Sequence, residues 1–351
     1  MPEPILTTRA LNRALLARQL LLERSRMSLT DALEQVGGLQ TQYAPAGYIG
    51  LWSRLAQFER PMLTQALEER RAIQATMMRA TIHVVSAADY WPMTAGVRRV
   101  RREWFANVGR GAIAALDMDA VAAAAREEMA DAPLRFTELT ERLVARGFAA
   151  QAAKWVGMWV DLVRIPPCGT WERRRADLYG LAETWMPGAG EVTEDEGIEL
   201  LIRRYLGAFG PAAPKDVASW MGLNVGQMRH VADAMELRRF RDEAGKPLVD
   251  LPEVLLPDPD TPAPARFLPV WDASLLVHAR RTQILPEAYR PRIFSTKTPH
   301  SVNTFLVDGQ VAGSWRFEDG RIDLAPFEPL ATSDRDALEE EAVGLGALHA
   351  D

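Results

Sequence analysis

One pattern recurs along the chain and narrows the folds open to it: several stretches of helical periodicity, then short β-rich stretches that close them off. In the first round Thr8 is placed to cap a run with Leu11, Leu15, Leu16, Leu20 and Leu22 mostly on one stripe. Ser28 is placed to cap Leu29 to Val36, and Gly37-Gly38 stops that helix. The spacing predicts a third helix over Tyr48 to Phe58, a fourth after Pro61, and a strand over Met78 to Ser86. In the second round helices are predicted over Asp117 to Ala130, Thr137 to Arg146 and Ala150 to Leu162. Strands then follow over Val163 to Pro166 and Asp177 to Leu181 around the tip Pro167 to Arg175. In the third, Thr193 caps a helix to about Leu206, another starts at Pro214, Asn224 caps one to Met235, and Leu237 to Phe240 pairs with Pro247 to Asp250.

Three helices closed by a hairpin describe a winged helix-turn-helix, so the expected fold class is α+β with three such units in tandem: residues 1–110, 111–190 and 191–255. Pro252 to Pro264, with five prolines, reads as a linker. Residues 265–351 read as a β-rich C-terminal part. Its strands are predicted over Ala265 to Val270, Val302 to Val307, Gln310 to Phe317 and Arg321 to Pro326, with tight turns at Asp308-Gly309 and Asp319-Gly320. Asp334 is expected to cap a terminal acidic helix.

The 351 residues are 48% hydrophobic, enough for a sizeable core, and no apolar run approaches the ~20 residues that span a bilayer. No membrane association is expected. The start MPEPILTTRALNRALL lacks the marks of a signal peptide, which makes a cytoplasmic location the expectation. The single cysteine, Cys168, allows no internal disulfide, and His83, His230, His278, His300 and His349 are too scattered to suggest a metal site. No cofactor is expected.

A net charge of −6 argues at first against a nucleic-acid partner, but the acidity is local. Pro187 to Glu199 and Thr332 to Asp351 together carry −10, which leaves +4 on the remaining 318 residues. Only Lys154, Lys215, Lys246 and Lys297 are lysines, so 37 of the 41 basic residues are arginine, the side chain whose planar fork grips phosphate. A GC-rich genome produces the same bias. The clusters fall at equivalent places in the repeat: Arg98, Arg99, Arg101 and Arg102 on one helix, Arg173, Arg174 and Arg175 on one wing, Arg238, Arg239 and Arg241 on another. Helix-hairpin units dock a helix in a groove and a wing on the backbone, so double-stranded DNA is the expected partner.

No nucleophile triad, phosphate loop or dinucleotide fingerprint stands out. What remains is Gln40-Thr41-Gln42, placed after the Gly37-Gly38 break and before Tyr43-Ala44-Pro45. In an extended segment residues i and i+2 project to one side, so both amides can meet one water. Alternation likewise puts Arg79, Thr81 and His83 on one side of a strand, facing DNA, although His83 fits a buried core histidine equally well. Asp272 fits both a helix N-cap and a carboxylate that stabilises a cationic sugar.

The segments Gly38 to Leu55, Arg79 to Ser86, Pro166 to Asp177, Arg203 to Pro211 and Val307 to Arg316 resemble the winged-helix DNA glycosylase family of AlkZ and YcaQ, and the likeness spans nearly the whole chain. The resemblance implies a monomeric, C-shaped body with a basic concave face that acts on alkylated purines in duplex DNA. In AlkZ-type members the two glutamines of a Gln-hydrophobic-Gln motif are catalytic, which assigns that role to Gln40 and Gln42; Thr41 stands where an aliphatic residue is usual. The family also inserts a β-hairpin beside the lesion. The matching span is Ile293 to Phe305, with Lys297 and His300 at its tip; an ordinary surface loop fits the same residues. A monofunctional glycosylase that removes N7-alkylated guanine and leaves an abasic site is thus the expected function. A winged-helix regulator without catalysis, or a protein that sequesters a small alkylating metabolite, are the alternatives.

Overall fold

The computed structural model describes residues 3–108, 116–186, 192–254, 256–276, 279, 281–295 and 300–350. After a short strand β1 (Ile5–Leu6), the first helix α1 (Thr8–Arg18) is capped by Thr7 rather than Thr8. Thr7 has the extended backbone a cap needs and accepts the Ala10 N–H, whereas the Thr8 hydroxyl is turned to Glu243 at 2.6 Å. Ser28 caps α2 (Leu29–Gln35) as expected, by accepting the Asp31 N–H. Gly37 and Gly38 then reverse the chain at φ +74° and +79°. At Gly38 a side chain is excluded twice over, because an added Cβ would lie 2.8 Å from Val85 Cγ1.

That reversal delivers β2 (Leu39–Gln40), α3 (Pro45–Trp52), α4 (Arg60–Glu68), β3 (Ala72–Thr76), β4 (Ile82–Ser86) and α5 (Ala87–Val108). Two expectations are corrected here. The helix predicted over Tyr48 to Phe58 starts earlier, at Pro45, whose fixed φ suits a first turn, and ends at Trp52. The strand predicted over Met78 to Ser86 begins only at Ile82, because residues 77–81 close a hairpin with β3, a strand that sequence reading missed. Thr76 pairs with Ile82, the Met77 N–H donates to Thr81 O, and Met78–Ala80 form a 3₁₀ turn.

The second round comprises α6 (Met118–Glu128), β5 (Leu134–Arg135), α7 (Phe136–Ala145), α8 (Ala150–Lys154), β6 (Leu162–Arg164), β7 (Leu178–Leu181) and α9 (Ala182–Trp185). The helix expected to run to Leu162 stops at Lys154 and continues as a 3₁₀ turn, Val156–Met158. The third round is α10 (Glu194–Phe209), α11 (Pro214–Met221), α12 (Val225–Ala234) and the hairpin β8 (Arg238–Asp242) with β9 (Pro247–Asp250). Its caps are the expected ones: Thr193 with Glu196 and Asn224 with Gln227 each form a reciprocal box.

The C-terminal part holds β10 (Arg266–Leu268), α13 (Arg290–Ile293), β11 (Phe294–Ser295), β12 (His300–Ser301), β13 (Thr304–Val307), β14 (Gln310–Glu318), β15 (Arg321–Pro326) and α14 (Thr332–Ala350). Asp334 lies within the first turn of α14, where its charge favours the helix dipole, and not at the cap.

The architecture is α+β, and the first two helix-plus-hairpin units join edge to edge. The strands of the first two rounds form one six-stranded sheet in the order β2-β4-β3-β6-β7-β5, joined where Ala75 meets Val163. β1 adds in parallel to the third hairpin, and β10-β13-β14-β15 make a separate antiparallel sheet. The main core gathers Leu15, Val85, Met93, Val163, Leu201, Trp220 and Leu306 from every part of the chain. A second core packs α2, α3 and α4 against Phe267, Phe305, Trp315 and Leu345 of the C-terminal part. Within the main core α5 crosses α10 so closely that an added Cβ on Gly197 would lie 2.4 Å from Gly96 N.

Candidate active site

The Gln40-Thr41-Gln42 segment runs along the free side of β4. Gln40 pairs with His83, and the Thr41 N–H donates to Ile82 O at 2.8 Å. With the chain extended at Gln40, its amide and that of Gln42 fall on one side and bond to each other, Gln40 Nε2 donating to Gln42 Oε1 at 2.5 Å. Gln40 is 7% exposed, whereas Gln42 is exposed. Thr41 points the other way and is buried. Its hydroxyl accepts from Gln74 Nε2 at 3.2 Å, and Gln74 also reaches Gly169 O, at 3.5 Å. Gln74 thereby ties the motif to the loop that carries Arg173, Arg174 and Arg175. Sequence reading missed it, although a lone amide inside the apolar run Ala72-Ile73-Gln74-Ala75 is a signal, since buried polar groups find partners.

Arg79, Thr81 and His83 lie behind the glutamines. Arg79 is half-buried in the 3₁₀ turn, at φ 54° and ψ 24°, and donates to Gln40 Oε1 at 3.0 Å and to Trp220 O at 2.8 Å. Burial, with Arg281 as a second cation nearby, pushes its pKa down to about 10, so it stays charged at neutral pH. The Thr81 hydroxyl is spent on Met78 O, inside the turn. His83 is 2% exposed, and burial, reinforced by the cations Arg79 and Arg164, holds its pKa at about 3. Its Nδ1 lies 3.0 Å from Thr81 O, and a carbonyl only accepts, so the ring is neutral with the proton on Nδ1.

The other basic residues divide. Arg173, Arg174 and Arg175 are exposed; Arg174 donates to Tyr43 Oη at 3.0 Å, directly beside Gln42, and Arg175 pairs with Asp177. On α5, Arg98 and Arg101 converge on Asp161, at 2.9 and 2.6 Å, and Arg101 is 5% exposed. Arg99 pairs with Glu103 and Glu194, and Arg102 lies over the Trp159 ring. The carboxylate in the apolar run Trp159-Val160-Asp161-Leu162 is the sequence signal for that clamp. Asp272 is buried against Arg54, at 3.0 Å, and accepts the Ser274 N–H, which gives it a structural partner set within the core. The expected hairpin forms at its base, where Phe294 pairs with Ser301 and Ser295 with His300. Lys297 and the side chain of His300 lie outside the described residues. Among the described residues, no group of His, Cys, Asp and Glu is arranged to hold a metal ion, and no helix is long and apolar enough to cross a membrane.

The arrangement offers two linked neutral amides, one buried and one exposed, with a guanidinium bonded to the buried one. Such groups orient a water or a sugar by hydrogen bonds without exchanging protons. A family model described as DNA glycosylase AlkZ-like matches residues 33–348. The chain is 21% identical to an interstrand DNA cross-link repair glycosylase of Streptomyces sahachiroi, over 93% of this chain and 92% of that one. It is also similar in structure to the Streptomyces sahachiroi DNA glycosylase AlkZ, with a TM-score of 0.81 and 19% identity, over 98% of this chain and 97% of that chain.

Proposed function

The chain belongs to the AlkZ-like DNA glycosylase family, and from that premise we propose that it hydrolyses the N-glycosidic bond of N7-alkylated guanine in duplex DNA and leaves an abasic site. The carrying observation is the pair of bonded amides of Gln40 and Gln42. Alkylation at N7 makes the base cationic, so it departs without a proton and no general acid is needed. What remains for the protein is to place water near C1′ and to tolerate positive charge growing on the sugar. Amide dipoles fixed in advance do both without reorganising. A lyase route needs an amine nucleophile, which glutamine does not supply, so the reading is monofunctional. The named activity of the Streptomyces relative supports extending the substrate range to bulky adducts and interstrand crosslinks.

In this reading the protein acts as a monomer, and the three units at 1–110, 111–190 and 191–255 share the duplex. Arg173, Arg174 and Arg175 supply phosphate contacts next to the motif, Arg98 adds one from α5 with Arg101 holding its partner Asp161, and the 293–305 hairpin, with Lys297 and His300, meets the minor groove. The test is single-turnover base release from a duplex with one 7-methylguanine, followed by alkaline cleavage of abasic sites. The Gln40→Ala, Gln42→Ala double variant is expected to lose base release and keep duplex binding. Unchanged release in that variant sinks the catalytic assignment; no release by the unmodified protein from this lesion or from bulky adducts favours a non-catalytic DNA binder.

A further inference from the structure

We infer that Arg79 is a positioning residue for the two glutamines, fixing which end of each amide faces the substrate. The inference rests on the reading of Gln40 and Gln42 as the reacting site. A guanidinium has donors only, so the end of the Gln40 amide 3.0 Å from Arg79 Nη2 must be its oxygen; the nitrogen there would set donor against donor. Gln40 Nε2 is thereby turned to Gln42, whose amide must answer with its own oxygen. One charged donor thus sets the orientation of both amides. The free edge of Gln42 presents its Nε2 donor together with the remaining lone pair of Oε1.

Left alone, a glutamine amide flips between two nearly isosteric orientations, and a pair of them has several combinations of similar energy. Each donation along Arg79, Gln40 and Gln42 polarises the next, which strengthens the selected combination. The guanidinium is itself held: Nη1 donates to Trp220 O, near the C-terminal end of α11, where carbonyl dipoles favour a cation. Its backbone sits in the left-handed region, a conformation disfavoured for a non-glycine residue, and the side chain is held at both ends of its fork by Trp220 O and Gln40 Oε1. A full positive charge opposes charge growing on the sugar, so the contribution of Arg79 to rate is orientation, delivered through two neutral amides.

This separates Arg79 from the phosphate-contacting arginines by experiment. Arg79→Met is expected to slow single-turnover base release roughly 10–100-fold, the effect of a misplaced reacting group, while the affinity for the lesion duplex stays nearly constant. A cavity of about 240 Å³ is lined in part by Arg79, Val97, Trp104, Met221 and Arg101, whose charge is balanced by Asp161. Guanidinium ion added to Arg79→Ala therefore has a route to the vacated place and is expected to restore part of the rate, but none in Gln40→Ala. Arg79→Lys reaches one of the two acceptors and is expected to fall between. Independently of activity, side-chain ¹⁵N spectra with glutamine-selective labelling, assigned through Gln40→Ala and Gln42→Ala, are expected to show both amides displaced from the other exposed glutamines, to lose that displacement in Arg79→Met and to lose part of it in Arg79→Lys. Unmoved amide signals in a folded Arg79 variant, or a uniform loss of duplex affinity with an unchanged rate of release once bound, overturn the inference. Absence of base release by the unmodified protein overturns the functional reading alone, since the spectra still report the orientation. If Arg79→Met fails to fold, Arg79→Lys carries both readouts.

Discussion

Two side chains of the site have divided jobs that depend on which way the chain turns them. Thr41 sits between the glutamines but faces inward, its methyl against Gly47 and its hydroxyl against Gln74, so the position tolerates a hydroxyl because a buried partner satisfies it. His83, the alternative that sequence left open between a DNA-facing and a core histidine, is a neutral core group. Its folded pKa of about 3 lies below the usual 6.5, so protonation favours the unfolded chain. The stability this represents is complete above pH 6.5 and is lost as pH falls toward 3. About 2 kcal/mol is expected to go between pH 7 and pH 5, read from urea midpoints, and His83→Gln is expected to flatten that part of the slope. An unchanged slope in His83→Gln disproves the neutral assignment. The signs for Thr41 and His83 were invisible in sequence because alternation tells which residues share a side of a strand, not which side is covered.

Among the elements, α5 and α10 make the tightest crossing, and it is set by glycine against glycine. Gly96 and Gly197 let the two backbones touch, and a methyl on either one meets backbone, which cannot swing aside. Gly197→Ala is expected to cost about 3 kcal/mol, the upper end for overpacking, seen as a lower urea midpoint with an unchanged m-value. A stability within error of the unmodified protein rules that crossing out. The third round and the first two helices and hairpin of the second were legible from caps and turns, since Thr193, Asn224 and Asp117 each accept the backbone N–H their position predicts, but the helix expected over Ala150 to Leu162 was too long and β5 and α9 were missed. The first round was less so. Its strand β3 carries no turn signal of its own, and Arg79, which reads as a strand residue by alternation, belongs to the 3₁₀ turn that the β3–β4 pairing forces. The arginines of α5 show the same limit: clustered in sequence, they are divided in space among Asp161, Glu103, Glu194 and Trp159.

At the scale of the whole molecule, a chain of net charge −6 must meet a polyanion through local positive surface. Arg173, Arg174 and Arg175 are exposed on a single loop whose base Gln74 ties to the glutamine motif. If each contacts a phosphate, changing all three to glutamine is expected to weaken duplex binding uniformly across sequences and to lower the slope of log affinity against log salt by about 3. A salt slope equal to that of the unmodified protein removes this loop from the interface. Through Gln74, which donates to both the Thr41 hydroxyl and Gly169 O, the loop and the glutamine motif are joined by hydrogen bonds although they lie in different rounds of the repeat.

The class of fold, the rhythm of helices and hairpins, and the pair of glutamines can be read along the chain, because caps, turn residues and periodicity are local and act over a few positions. Which polar groups are spent inside the protein and which remain exposed is settled by the three-dimensional packing. Arg101 and Arg173 are the same residue type in similar clusters, yet one is buried on Asp161 and the other exposed. Gln40 and Arg79, 39 positions apart, become one hydrogen-bonded unit because β2 and β4 pair and the hairpin turn left-handed at Arg79. Burial and pairing depend on groups far away in the chain, and a linear reading carries no term for them.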